Sequence, residues 1–323
     1  MNFWEKLPRP FFILAPMHEV TDTAFRQIVC FYKKPDVLMT EFVSADGLCH
    51  PSSQKRIINY YLKFSQKERP IVAQIWGASP QVIFQASKII ASLGFDGIDI
   101  NMGCPDKKVV KNGGGAALIL KPKLARELIL AAKEGGGGLP VSVKTRLGFN
   151  KNIVEKWVKE LVKAKPVAIT LHGRLQKENY QTPADWESIA KAAKIVKKEK
   201  IIIIGNGDVK DISDARKKAF QYGVDGVMIG RGVLGNPWFF DEKKYLILTK
   251  DKERMKREKL KIALKHALLF EKTFKEIKPF CHLRKHLAAY ISDFAGAKEI
   301  RLKLMGAQNA TEVKKIISFY LKR

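Results

Sequence analysis

Eight short apolar runs punctuate the first three-quarters of the chain, and their spacing constrains the fold more than any other feature. They are Phe11–Ala15, Val37–Phe42, Ile71–Ile75, Gly97–Ile100, Val141–Thr145, Val167–Leu171, Ile201–Gly205 and Gly226–Ile229. Short, apolar and partly β-branched, they read as strands buried on both faces, the condition of a parallel sheet covered by helices. Amphipathic segments separate most of them: Thr21–Tyr32, Pro80–Ser92, Pro122–Lys133, Lys151–Lys163, Ala184–Lys197 and Ile212–Tyr222. Asp22 and Ser79 stand where helices start, and Pro80 and Pro122 where a first turn tolerates proline. The connection from Ser44 to Pro70 is the least regular. Eight strand–helix units in about 235 residues is the arithmetic of a (β/α)8 TIM barrel, an α/β fold. A doubly wound open sheet is the alternative, but no glycine-rich dinucleotide fingerprint follows the first strand.

After Trp238 the strand pattern stops. Lys252–Lys275, Lys278–Ser292 and Glu312–Leu321 read as helices, with Pro279 able to open the second and Gly296 ending the stretch after it. A barrel domain over residues 1–245 and a small all-helical domain over 246–323 are expected, with the boundary near Tyr245. Lys plus Arg number 59 against 32 Asp plus Glu, a formal charge of +27. Residues 246–323 hold 20 of the basic and 8 of the acidic residues, about twice the net charge per residue of the rest. Such charge speaks about partners rather than fold. It fits either a lysine-rich solvated surface or a polyanion, and a basic tail attached to an enzyme favours nucleic acid.

The 46% hydrophobic content excludes a disordered chain. No apolar run approaches the roughly 18–20 residues that span a bilayer. Met1–Pro10 has charges and two prolines but no signal-peptide core, so secretion is not expected. Cys30, Cys49, Cys104 and Cys281 have no paired spacing, so neither zinc nor another metal is expected, and such thiols suit a cytoplasmic location. No obligatory protein partner is evident.

In a barrel the reacting groups sit at the C-terminal ends of the strands. There the chain places Ala15-Pro16-Met17, Glu41, Gln74 with Trp76-Gly77, Asn101-Met102-Gly103-Cys104-Pro105, Lys144-Thr145-Arg146, His172-Gly173-Arg174, Gly205-Asn206-Gly207-Asp208 and Gly230-Arg231-Gly232. Any one of these reads as an ordinary capped loop; polar groups converging from most strands onto one rim do not. The last two loops fall where this fold commonly cradles a phosphate, glycine letting backbone N–H groups approach an anion and Arg231 adding charge. Lys144 could donate to a carbonyl-rich anionic ring such as a flavin's pyrimidine edge, and His172 could donate or accept near neutral pH. Cys104 leaves the strand into a loop, precedes a proline, and is followed by the glycine run Asn112–Gly115, the layout of a reacting group under a mobile lid. Gly135–Gly138 carry no functional reading.

Through these residues the chain resembles the flavin-dependent tRNA-dihydrouridine synthases. The resemblance rests on Leu14-Ala15-Pro16-Met17 with Val20-Thr21-Asp22 and Phe25-Arg26, Gln74-Ile75-Trp76-Gly77, Asn101-Met102-Gly103-Cys104-Pro105 and Ser142-Val143-Lys144-Thr145-Arg146. It continues through His172-Gly173-Arg174, Tyr180, Ala184-Asp185-Trp186, Asn206-Gly207-Asp208 and Gly230-Arg231-Gly232, then Arg284-Lys285-His286-Leu287, Tyr290, Gly296 and Arg301. It implies FMN on the rim, contacted by Pro16, Met17, His18 and Gln74. Lys144 and His172 would hold the ring, and Asn206, Gly207, Asp208, Gly230 and Arg231 the phosphate end. Cys104 would be the general acid, with Asn101 and Arg174 touching a uracil. His18-Glu19 departs from the usual small residues, and His18 would alter the entrance. The implied reaction reduces a tRNA uridine with NADPH or NADH as the reductant. The nucleotide must leave the stack to reach the site, and the basic tail would grip the RNA. Two rivals compete with this reading: a flavin barrel acting on a free pyrimidine or small enone, and a non-catalytic RNA-binding protein.

Overall fold

The computed structural model describes residues 2–322. All eight expected runs form strands: β1 (Phe11–Leu14), β2 (Val37–Met39), β4 (Ile71–Trp76), β5 (Gly97–Met102), β6 (Val141–Gly148), β7 (Ala168–Leu175), β8 (Ile202–Asn206) and β9 (Gly226–Ile229). Every pairing is parallel, and the ring closes because β1 pairs with both β2 and β9 while β2 pairs with β4. The second run breaks after Met39, and a two-residue β3 (Val43–Ser44) resumes pairing with β4. At the break the Gln74 N–H donates to the Thr40 hydroxyl (3.1 Å).

Helices α1 (Thr23–Lys33), α4 (Pro80–Ser92), α6 (Pro122–Gly135), α7 (Val154–Val162), α8 (Trp186–Lys198) and α9 (Ile212–Gln221) follow their strands. Asp22 and Ser79 cap α1 and α4 by accepting the N–H of Phe25 (3.0 Å) and Val82 (3.4 Å). The irregular connection contains α2 (Ala45–Cys49) and α3 (Pro51–Tyr60), and α5 (Lys107–Lys111) follows β5. Gly135 ends α6 against α4, where a Cβ would come within 2.2 Å of the Phe84 carbonyl oxygen. Gly137 and Gly138 then turn the chain at positive φ, so the four glycines are a packing and turn device.

Side chains alternate across each strand, and the two faces build separate cores. Outward residues such as Leu14, Leu38, Ile100, Val143, Leu171 and Ile203 pack against the helices. Inward residues Phe11, Ile13, Val37, Met39, Ile202 and Ile204 fill the barrel around Trp4, which is fully buried. These residues make the interior apolar along β1, β2 and β8, while on β5, β6 and β7 buried polar side chains begin lower, with Asp99, Ser142 and Thr170.

Beyond β9 the described chain is helical: α10 (Glu242–Lys250), α11 (Lys252–Phe274), α12 (Arg284–Tyr290), α13 (Ala297–Gly306) and α14 (Ala310–Leu321). Tyr245 lies inside α10. The stretch expected as one helix over Lys278–Ser292 is a 3-10 turn, Phe280–Leu283, followed by α12. Gly296 (φ +80°) opens α13, an element the sequence pattern left unassigned, rather than ending a helix. These helices share their apolar core with Ala24 and Ile28 of α1 and with Trp238. Lys278 joins them to the barrel rim. Its buried ammonium meets the buried Asp22 carboxylate at 3.2 Å and Glu19 at 3.7 Å. Among the described residues no helix is long and apolar enough to cross a membrane.

Candidate active site

The polar ends of the strands surround a cavity of about 500 Å³ at the C-terminal face of the barrel. Pro16, Met17 and His18 line it after β1, Asn101 and Cys104 at the end of β5, and Lys144 from β6. His172 and Arg174 come from β7, Asn206, Gly207 and Asp208 from β8 and its loop, and Gly230 and Arg231 from the loop after β9. The His18 ring stacks on Phe42 and Tyr61, with centroids 5.1 and 5.4 Å away, so it forms part of the wall. Burial lowers its basicity. Gly207 sits at φ +130°, and a Cβ there would come within 2.6 Å of Ala184, so only glycine suits this turn.

One side of the cavity is cationic. Burial, reinforced by Arg146, pushes the Lys144 ammonium down to about 8, and Asp99 opposes that shift. Among the described residues no hydrogen bond or ion pair reaches it. His172 is pushed down to about 2, first by burial and then by Lys144, Arg146, Arg174 and Arg231, so it stays neutral instead of titrating near pH 7. Arg174 Nη1 lies 3.1 Å from His172 Nε2. A guanidinium only donates, so Nε2 accepts and the ring proton sits on Nδ1.

Arg174 is buried, and its donors point into the protein. Nε donates to the Thr182 carbonyl (2.6 Å) and Nη2 to Asp208 Oδ2 (2.5 Å). Asp208 also accepts from Arg231 Nη2 (3.0 Å) and the Ala184 N–H (2.8 Å). Burial raises the Asp208 pKa, but those hydrogen bonds and the two arginines outweigh it and hold the carboxyl below its ordinary value. Arg231 lies 3.9 Å over the Tyr180 ring.

Cys104 is held by its backbone. The Asn101 Oδ1 accepts the N–H of Gly103 (3.0 Å) and of Cys104 (2.8 Å), and the Cys104 carbonyl accepts from Ala116 N–H (3.0 Å). Burial pushes the thiol above its ordinary value of 9.0; a backbone hydrogen bond at Asp106 only partly opposes this. The thiol is therefore protonated at neutral pH. Two glycines of the run beside it are closely packed. A Cβ on Gly115 would fall 2.7 Å from the Cys104 carbonyl oxygen, and one on Gly114 2.8 Å from Trp76.

Gln74 is not among the side chains that line the cavity. It is fully buried one layer below, between Asp99 and Asn101. Glu41 likewise stands outside the cavity wall, its buried carboxylate without a hydrogen bond among the described residues, and burial pushes that carboxyl up. One of its oxygens, one of Glu19 and one His18 ring nitrogen lie within 4.8 Å of one another, but Lys278 already supplies positive charge to that cluster. Arg146 and Tyr180 line the cavity and were not singled out as site residues. Arg146 lies two residues beyond Lys144, so strand alternation puts both on the inner face.

A closed parallel barrel with a cationic, glycine-bordered cavity at the ends of its strands is the architecture of a barrel enzyme acting on anionic ligands. Comparison with known proteins sharpens this class. The dihydrouridine synthase (Dus) family model matches residues 13–322. A probable tRNA-dihydrouridine synthase of Staphylococcus aureus (strain COL) is 40% identical, over 98% of this chain and 94% of that one. The probable tRNA-dihydrouridine synthase 2 of Bacillus subtilis (strain 168) is also 40% identical, over 98% and 95%. Among solved structures, histamine dehydrogenase from Rhizobium sp. 4-9 superposes with a TM-score of 0.56 at 12% identity, over 80% of this chain and 48% of that chain, a likeness of fold. The chain belongs to the dihydrouridine synthase family and is an oxidoreductase.

Proposed function

We propose that this protein is an FMN-dependent tRNA-dihydrouridine synthase that reduces the 5,6 double bond of uridines in tRNA, with NADPH or NADH as the reductant. The observation that carries the reading is that a protonated Cys104 thiol and the unpartnered Lys144 ammonium line one cavity of about 500 Å³. That volume and lining suit a flavin mononucleotide: apolar Met17 and Met228, cationic groups on one side, and glycine loops beside Arg231. Pro16, Met17 and His18 would lie along the ring, with Lys144 and the neutral His172 at its polar edge. Gly207, Gly230 and Arg231 would hold the phosphate end near Asn206. Asp208 fits best as the group that aims Arg231, since its carboxylate already binds that side chain.

When bound, the flavin supplies a hydride, taken from the nicotinamide, to carbon 6 of the uracil. Cys104 completes the reduction by giving its thiol proton to carbon 5, and the thiolate is reprotonated from solvent. Asn101 and Arg174 border the substrate, but the hydrogen bonds they make go to the protein, which favours positioning roles. Residues 1–245 would carry the chemistry and the basic residues 246–323 the grip on RNA. The proton-donor role requires the uridine to be extruded into the cavity.

FMN should co-purify with the protein. Arg231→Ala should weaken its retention by about tenfold or more, the scale of one charge-assisted hydrogen bond of about 1.5–3 kcal/mol. Mass-spectrometric mapping of dihydrouridine should show sites lost when the gene is deleted and restored when it is returned. A colourless protein that cannot be reconstituted with FMN would overturn the reading, and activity on free uridine would favour a small-molecule reductase instead.

A further inference from the structure

A directional chain of hydrogen bonds runs beneath the cavity from the barrel interior to the Cys104 loop. Asp99 is fully buried on β5, and its Oδ1 accepts the Ser142 hydroxyl (2.6 Å). Its Oδ2 accepts the Gln74 Nε2 (2.7 Å), and the Gln74 Oε1 accepts the Asn101 Nδ2 (3.0 Å). That leaves the Asn101 Oδ1 to take the backbone N–H of Gly103 and Cys104.

A side-chain amide is a donor at one end and an acceptor at the other, so two amides in series transmit polarity. A carboxylate offers only acceptors. Facing Asp99, Gln74 must present its nitrogen; Asn101 must then meet the Gln74 oxygen with its own nitrogen and turn its oxygen to the loop. The two backbone donors at the far end demand the same orientation, so the chain is consistent from both ends. Of the three side chains only Asn101 lines the cavity, so the chain links a residue below the cavity to a loop at its edge.

We propose that Asp99 is the positioning residue that fixes the polarity of the Gln74 and Asn101 amides and thereby holds the Cys104 loop in its working geometry. The inference rests on the reading of Cys104 as the proton donor, although its first readout does not. Asp99→Asn removes the polarity signal: the introduced amide could offer a donor to Gln74, the Gln74 amide could reverse, and Asn101 would then meet a donor with its nitrogen. The swapped pair, Asp99→Asn with Gln74→Glu, restores the chain. The amide nitrogen introduced at position 99 donates to the carboxylate introduced at position 74, whose other oxygen accepts from Asn101 as before. Charge and side-chain count are conserved in the swap, so a role that is only packing would not be rescued.

The test alkylates wild type, D99N and the D99N/Q74E double variant, each carrying its flavin, with iodoacetamide, and follows the Cys104 peptide by mass spectrometry. Cys104 should react several-fold faster in D99N, and at the wild-type rate in the double variant. Reoxidation of the reduced enzyme by tRNA should slow by up to about 100-fold in D99N and recover in the double variant. Unchanged alkylation and turnover in D99N would overturn the proposal, as would a folded double variant that stays impaired. Should D99N fail to fold, the double variant decides alone. Normal turnover in Cys104→Ala, with the alkylation pattern intact, would instead remove the proton-donor reading and leave the positioning role standing.

Discussion

Lys144 carries a conflict that only a ligand relieves. Burial and the neighbouring Arg146 push its ammonium from 10.5 down to about 8, and no carboxylate within ion-pair distance answers it. With the folded value below the unfolded one, the unfolded chain binds more protons between about pH 8 and 10.5. Stability of the flavin-free protein should therefore rise across that window and carry the full penalty below it. Lys144→Met should raise the melting temperature of the flavin-free protein at pH 7 while weakening flavin retention; a lower melting temperature with retention unchanged would contradict this account of the residue. Cys104 has the opposite sign. An acid works while protonated, and burial lifts this thiol above 9.0, so the reoxidation rate by tRNA should stay level through neutral pH and fall only above that value. A rate already falling between pH 7 and 8 would mean a different acid. Neither environment was legible in the sequence, which showed which residues end the strands but not how far each lies below the rim. Gln74 illustrates the gap: its place on a strand was legible, but its full burial and its hydrogen bond to Asp99 were not.

Among the elements, α1 is fixed by a buried polar hub that also seats the loop after β1. Arg26 Nε meets Glu68 Oε2 at 2.5 Å, both side chains fully buried, while its Nη1 and Nη2 donate to the carbonyls of Thr21 and Lys63 (2.7 Å each). Thr23 and the Ser65 N–H complete the Glu68 carboxylate at 2.6 and 2.7 Å. Removing one partner strands the other charge, so Glu68→Ala should cost about 3–5 kcal/mol in denaturant unfolding. A loss below about 1 kcal/mol would show the hub to be hydrated or redundant. The eight strands themselves were readable because a barrel strand is apolar on both faces and short. What escaped was structure set by tertiary contact: α2 and α3 in the irregular connection, α13 after Gly296, and the extension of β6 past Thr145 that brings Arg146 to the cavity. The last was available from strand alternation, since Arg146 follows Lys144 by two. The close packing of Gly114 and Gly115 near Cys104 was likewise not legible, because composition does not distinguish a flexible backbone from one too closely packed for a Cβ.

For the whole molecule, the charge of +27 and the placement of the helices decide how RNA binding should be tested. Deleting residues 246–323 would uncover Ala24, Ile28 and Trp238, which share the helical core, so truncation confounds binding with folding. Point changes avoid this. Lys285 on α12 adds to the field at His18, at the cavity, and is partly exposed. Lys285→Gln should leave flavin bound, weaken tRNA binding, and reduce the slope of log K against log salt by about one. An unchanged slope would place the RNA path elsewhere. The central claim is that one cavity combines a flavin with a proton donated by Cys104, and stopped-flow absorbance tests it most directly. Wild type and Cys104→Ala, both reduced by NADPH, are mixed with unmodified tRNA, and flavin reoxidation is followed. The account predicts equal flavin content and equal reduction by NADPH, but reoxidation by tRNA slowed about 10²–10⁴-fold in Cys104→Ala; wild-type reoxidation in that variant would contradict it.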